Sequence, residues 1–315
     1  MTYSKNARSF VDDNLTIDSF ESVEKYLNDL LNRDINSSAE LKTWLKDKSE
    51  LEAVIEEDMA WRYIRMSIDT RNKEFSTAYN FFVSEIQPLL APFDDKLNKK
   101  LMECEFRKDL EKDPAYQIYF RGVQSQLELY REKNISIQSY LSQKSQEFGA
   151  ISGAQNIKHE GKTLTMPQAA ILLKEQDEAL RKSIFEKIAS RRVQDIDALS
   201  DLYTDLVAKR TELAENAGFS NYRDYKFKEM GRFDYTKESC FDFHHAVEQH
   251  IVPLVKKIQE KKLNKLGKSQ FKPWDTSVNP DGKAPLKPFK SGQEMLDKTV
   301  AIFEEIDSKF SGFLK

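Results

Sequence analysis

The sequence predicts a mainly α protein with one small β-hairpin, and three observations carry that prediction. Gly (10) and Pro (9) reach about half their usual share of a chain of 315 residues, and turn-rich sheets need both. Apolar residues recur at steps of three and four, which places them on single helix faces. Only residues 156–165 read as two short β-capable pieces, set about Gly161.

Along the chain the elements follow in order. Leu51, Val54, Ile55 and Met59 form a first stripe, and Pro88 with Pro92 predicts a break between two helices. The helices pause at Gly149, Gly153 and Gly161, so a multi-helical N-terminal domain is expected over residues 1–150, with a second domain over 151–315. That second part opens with the hairpin, after which Thr165 reads as an N-cap ahead of Pro167, a residue tolerated in a first turn. Val193, Ile196, Leu199, Tyr203, Leu206 and Val207 make a second stripe. Gly218 suits a left-handed helix end, and Ser220 is expected to cap a short helix carrying Tyr222 and Tyr225.

The third stripe is Val247, Ile251, Leu254, Val255 and Ile258, with Pro253 predicting a kink or a helix start. Residues 268–290 hold Pro273, Pro280, Pro285 and Pro288 together with the turn signal Asn279-Pro280-Asp281-Gly282, and read as a long connection. Ser291 and Glu294 have capping-box spacing ahead of a fourth stripe, Leu296, Val300, Phe303 and Ile306. Gly312 reads as a final helix stop, with Phe313-Leu314-Lys315 opening a further segment. Charged and amide residues flank every stripe, so each helix is expected to have one buried and one wet side.

Composition narrows the function. Lys and Arg number 49 against 52 Asp and Glu, without the basic excess that phosphate contacts require, so no nucleic-acid partner is expected. No apolar run approaches the roughly 20 residues that cross a bilayer, and no membrane partner is expected. Residues 1–10 lack an apolar signal-peptide core. Cys104 and Cys240 are isolated, which implies neither a disulfide framework nor a cysteine metal site and makes a cytoplasmic location the expectation.

The search for chemistry is mostly negative. Phosphate-binding, dinucleotide and nucleophile-elbow glycine motifs are all missing. A zinc peptidase helix needs H-E-x-x-H, because residues four apart share a face and one ion. Here His245 and His250 are five apart, about 140° around a helix, and position 249 is Gln where an inverted zinc motif needs His. A two-ligand site on Glu248 with His244 or His245 is the metal alternative; a polar helix face is the simpler reading. Glu56, Glu57, Asp58, Glu304 and Glu305 read as solvated surface. The aromatic runs 79–82 and 116–120 read as core. Tyr222, Arg223, Tyr225 and Arg232 form a more polar aromatic–basic cluster, read as packing and helix capping, with ligand contact as the alternative.

Several segments, in order, resemble the zinc oligopeptidase family that includes oligoendopeptidase F and thimet oligopeptidase. Glu160-Gly161-Lys162-Thr163-Leu164-Thr165, a short helix, and Asp177-Glu178-Ala179-Leu180-Arg181 are similar to that family's Gly-Lys hairpin and D-x-x-x-R helix. Ala217-Gly218-Phe219-Ser220-Asn221-Tyr222-Arg223-Asp224-Tyr225 resembles its A-G-(F/Y)-x-x-Y-x-D-Y segment. Val252-Pro253-Leu254 and Trp274-Asp275 match further family signatures.

The resemblance implies a helical metallopeptidase domain whose walls form a channel for short peptides, with Tyr222, Tyr225 and Arg232 as channel candidates. It also implies one zinc ion in the intact enzyme, on an H-E-x-x-H helix with a further Glu. No H-E-x-x-H occurs in these 315 residues, so the catalytic residues and zinc ligands are expected beyond Lys315. The expectation is therefore the N-terminal portion of a zinc oligoendopeptidase, cut before its catalytic motif, with no catalytic residue and no metal ligand of its own. The chain is then expected to bind no zinc and to be inactive. Apolar faces at Phe303, Ile306, Phe310, Phe313 and Leu314 would stay exposed and allow self-association. The alternative is a helical scaffold that binds peptides or proteins without catalysis.

Overall fold

A computed structural model describes residues 8–314, and the chain folds into two compact units interleaved in sequence. The first takes Arg8–Gln155 and Val193–Ala246; the described part of the second takes residues 156–192 and 247–314. In chain order the elements are α1 Glu21–Asn32, α2 Ser38–Ile68, α3 Lys73–Phe81, α4 Gln87–Glu103, α5 Arg107–Leu110, α6 Pro114–Leu129 and α7 Ile135–Gly153. The hairpin β1 Asn156–His159 and β2 Lys162–Thr165 follows, then α8 Met166–Leu172, α9 Glu178–Val193, α10 Ile196–Asn216, α11 Tyr222–Glu229 and α12 Lys237–Ala246. The last are α13 Val252–Lys265, α14 Gly292–Ile306 and α15 Ser308–Leu314. The mainly α class with a small hairpin is what the sequence predicts.

The first unit has the larger core. Leu41, Trp44 and Leu51 of α2 pack with Leu30 of α1 and with Leu97 and Leu101 of α4. The Trp44 indole N–H donates to the Leu30 carbonyl at 2.8 Å, so its one polar atom is satisfied. Ser37 caps α2 by accepting from the Glu40 N–H at 3.2 Å. Glu50 ties down the chain before α1: its carboxylate accepts the N–H groups of Ser9, Phe10 and Val11 at 2.8–3.0 Å. Burial pushes that carboxyl up, but the three N–H bonds outweigh it and bring it down to about 2. A second cluster joins Leu129, Ile137, Leu213, Ala214 and Tyr225 from α6, α7, α10 and α11.

In the second unit β1 pairs antiparallel with β2, Ile157 opposite Leu164. The two-residue turn uses Glu160 and Gly161, both at positive φ (49° and 76°), a mirror-image turn matched to strand twist. Thr165 and Gln168 form a full capping box ahead of α8. Ile157, Ala169, Ile184 and Ile188 make the small apolar cluster beneath.

Several local expectations are corrected. Pro88 and Pro92 do not break the chain: α3 passes through a π turn, Phe82–Ile86, into α4, with Pro92 inside that helix. Pro253 does mark the expected helix start: α13 opens at Val252 with Pro253 in its first turn, after a π turn at Val247–Ile251. A widened turn gives the proline ring room against the carbonyl four residues back, where an α turn would clash. The short helix after Gly218 (φ 88°) is capped not by Ser220 but by Asn221, which accepts from the Asp224 N–H at 3.0 Å. Gly312 does not end a helix; α15 runs through it to Leu314, and the segment expected to open at Phe313 is the end of that helix. Lys315, its last expected residue, lies outside the described residues. In α10 the buried face is Leu202, Leu206, Leu213 and Ala214, while Ile196, Tyr203 and Val207 are exposed, as is Val193 at the end of α9. The third and fourth stripes, on α13 and α14, bury no residue.

Candidate functional site

Tyr222 and Tyr225 lie three apart on α11, so their rings meet on one face, stacked with centroids 6.0 Å apart. The Phe219 ring stands edge-on to Tyr225 at 5.7 Å. Tyr225 is only 2% exposed. Burial, with the charge of Glu229 second, pushes its phenol up to about 12. The Arg210 guanidinium lies 5.8 Å from the Tyr222 ring. Arg232 lies past the helix end, 5.0 Å over Phe227. The structure thus brings the two tyrosines together and sets Arg232 on another ring.

Tyr225 also lines the first of two adjoining cavities in its unit, about 370 and 600 Å³. Both are within the size range of small-ligand sites. They share Ile55 and Glu56 of α2, Leu90, Ala91 and Asp94 of α4, and Gln138 of α7. Helical spacing explains the lining: Glu52, Ile55, Glu56 and Met59 project from one side of α2, and Leu90, Asp94 and Asn98 recur at steps of four on α4. The larger cavity is walled by Met59, Phe82, Val83 and Pro88 with Tyr63 at its side. The smaller is the more polar of the two, adding Glu52, Asp95, Asn98, Gln126 and Glu229 beside Tyr130.

Charge around the cavities is unevenly compensated. Glu52 pairs with the buried Lys48, Glu229 with Lys226, and Asp95 with Lys99 at 2.6 Å. Burial pulls the Lys48 ammonium down, but Glu52 and Tyr119 more than restore it, and the net direction is up. Asp94 opens to the cavity yet is crowded by protein. That desolvation, with the Glu52 charge adding, raises its carboxyl to about 6 against the pull of Lys48. The sequence reading puts Glu56 with Glu57 and Asp58 on a solvated surface. Asp58 pairs with Arg62 at 2.6 Å, whereas Glu56 faces both cavities. The available signal is the four-residue spacing of Glu52 with Glu56 and of Asp94 with Asn98, on faces that also carry Ile55 and Leu90.

In the second unit, two signatures quoted from the sequence meet. Asp275, fully buried, accepts from Arg181 at 3.0 Å and from Lys268 at 2.7 Å, and its second oxygen accepts the Lys272 N–H at 3.2 Å. Burial alone would raise that carboxyl, and the Lys268, Arg181 and Lys272 bonds bring it below its ordinary value. Arg181 also donates to the carbonyls of Glu175, Gln176 and Trp274. The Trp274 ring lies 5.9 Å from Phe185, and its N–H donates to Glu178 at 3.3 Å. The node anchors the proline-rich connection to α9. Further along, Gln176 holds the carbonyls of Asn279 and Lys283 across the Asn279–Gly282 turn.

His244 and His245 lie on α12, and Glu248 and His250 on the π turn after it. Among the described residues, no three His, Cys, Asp or Glu side chains form a group able to hold a metal ion. No helix among the described residues is long and apolar enough to cross a membrane. Ile306, Phe310, Phe313 and Leu314 are exposed, and Phe303 is half-buried with its ring edge-on to Phe310 at 6.2 Å.

Comparison with known proteins agrees with this architecture. The family model for the peptidase M3 N-terminal domain matches residues 10–130, and that for peptidase family M3 matches residues 171–306. Among solved structures, a Bacillus anthracis protein assigned to oligoendopeptidase F is 20% identical with a TM-score of 0.87, over 98% of this chain and 57% of its own. PZ peptidase A with an inhibitor is 22% identical with a TM-score of 0.87, over 97% and 54%. Oligoendopeptidase-F from Enterococcus faecium is 14% identical with a TM-score of 0.65, over 91% and 61%. At these identities the likeness is one of fold, and the chain spans little more than half the length of the solved proteins it matches. No curated protein sequence matches it.

Proposed function

From the premise that the chain belongs to the M3 peptidase family, we propose that it forms the N-terminal portion of a zinc-dependent oligoendopeptidase. The parent would hydrolyse internal bonds of short peptides, with its catalytic residues beyond Lys315. What carries this reading is the pair of family matches on residues 10–130 and 171–306, laid over a fold shared along almost the whole chain. The functional division is proposed near residue 150, which is distinct from the interleaving of the two compact units. Residues 1–150 are the N-terminal domain, and 151–315 begin the channel-wall domain that bears Tyr222, Tyr225 and Arg232. The unburied apolar faces of α13 and α14 support this reading as surfaces for further catalytic-domain helices. Presented alone, they favour self-association. Cys104 and Cys240, both free, suit a cytoplasmic setting.

Zinc would polarise the scissile carbonyl and activate water in the parent. The described residues do not fit that ion, since they offer no ligand group, and no step through it is assigned to this chain. The 315-residue polypeptide is expected to leave an internally quenched peptide intact with zinc supplied. Cleavage that a chelator abolishes would overturn that expectation. The parent reading is tested by translating the frame past codon 315. An H-E-x-x-H with chelator-sensitive endopeptidase activity in the longer product supports it; a frame that yields neither favours the non-catalytic scaffold.

A further inference from the structure

The two adjoining cavities of the first unit hold unmatched negative charge and an unmatched acceptor in one place. Three of the five carboxylates around them are neutralised by lysines of the chain itself. The other two, Glu56 and Asp94, have no ion pair or hydrogen bond among the described residues, and both line both cavities. The independent observation is Asn98, 5% exposed, in the wall of the smaller cavity. Its amide N–H donates to Gln126 at 3.0 Å, while its Oδ1 is buried and accepts nothing. A buried carbonyl oxygen left so costs free energy unless a donor reaches it. Two carboxylates and an orphan acceptor call for a cationic donor.

We propose that the junction of these cavities binds an alkylammonium group, held by Asp94, Glu56 and the Asn98 carbonyl. The larger cavity supplies the rest of the recognition: Met59, Phe82, Val83 and Leu90 line a slot for an apolar stem, and Tyr63 offers an aromatic face to a cation. A bare metal ion would gain nothing from that slot, and no three metal-ligating side chains converge there. The chemistry is that of a lysine side chain or a free diamine. It rests on the geometry of one unit and not on the peptidase reading.

The test is calorimetric titration of the full 315-residue chain with 1,5-diaminopentane, with the N-acetylated, C-amidated peptide Ala-Ala-Lys-Ala, and with uncharged 1,5-pentanediol. Binding of either amine with no detectable binding of the diol is the expected result. Diamine alone identifies a free amine, peptide alone identifies a lysine side chain, and both identify the ammonium group in general. Asp94→Asn and Glu56→Gln should each weaken binding at least tenfold. Glu56 and Asp94 are both exposed, so either variant decides the matter on a folded chain. The proposal is overturned by absence of heat with both amines up to 10 mM, by equal binding of the diol, or by affinity unchanged in Glu56→Gln.

Discussion

Helices α2 and α13 carry the same apolar spacing and meet different fates. On α2, Leu51 and Val54 are buried against α1 and α4; on α13, Leu254, Val255 and Ile258 remain 53%, 43% and 57% exposed. Periodicity states which face can be buried, while burial needs a partner that arrives from elsewhere in the fold. The contrast extends to the units that carry them. The first rests on a broad apolar cluster, the second on a four-residue cluster at the hairpin, the separately buried Val278 and a buried polar node. Stability in the second unit is therefore concentrated in charge geometry, where single substitutions act strongly.

The largest expected effect tests that concentration. Asp275→Asn leaves Arg181 and Lys268 without the carboxylate that compensates them, and breaking a buried pair costs about 3–5 kcal/mol. Urea unfolding followed by hydrogen exchange in β1 and β2 against exchange in α2 should show the second unit opening first. An unchanged midpoint would remove the node from the account. Next comes the direct comparison of helices. Leu51→Ala should cost about 3 kcal/mol through lost burial and a residual cavity, against less than about 0.5 kcal/mol for Leu254→Ala on the exposed face. Similar losses at the two sites would mean that α13 is covered in solution, which sedimentation of the same samples would show as self-association.

A smaller effect lies in how the first unit secures its leading segment. Glu50→Gln weakens three charge-assisted N–H bonds, and because the carboxylate is partly solvated the loss should be about 1 kcal/mol at neutral pH. The folded carboxyl sits at about 2 and the unfolded one near 4.5. Its contribution is therefore complete above pH 4.5 and disappears as the pH falls towards 2. The gap in thermal midpoint between the wild type and Glu50→Gln should narrow over that window. A gap that is constant down to pH 2.5 would assign the effect to packing.

Much of this architecture was legible in the residues. The hairpin about Gly161, the Thr165 cap, the left-handed Gly218 and the Asn279–Gly282 turn each depend on chemistry within four residues of chain, so local sequence suffices. The resemblance quoted Arg181 and Trp274-Asp275 as separate signatures, and only the fold shows them as two sides of one contact 94 residues apart in sequence. The cavities were hidden for the same reason. Glu56, Asp94, Asn98 and Gln138 come from three helices, and nothing in the neighbourhood of Glu56 separates it from Glu57 or Asp58. The stripe on α10 was misplaced because residues on both flanks of an amphipathic face satisfy the same spacing, and packing against α7 selects Leu202, Leu206 and Leu213.

The smallest effect is a gain, and it comes from Asp94, one of the two cavity carboxylates without an ion pair among the described residues. Asp94 is held near pKa 6 by desolvation and by Glu52, so the folded state keeps a proton that the unfolded chain gives up near 3.8. Between those values folding takes up a proton, and stability falls as pH rises, reaching its floor once Asp94 is ionised. Asp94→Asn removes the titration while keeping the shape of the side chain. The variant should match the wild type at pH 3.5, gain on it from pH 4 to 6, and hold a constant advantage above that, about 2 °C in thermal midpoint. Adding 1,5-diaminopentane at pH 7.5 should erase the advantage by stabilising only the wild type. An advantage that is independent of pH would mean that Asp94 is already compensated, and would remove the reason for an ammonium group to bind beside it.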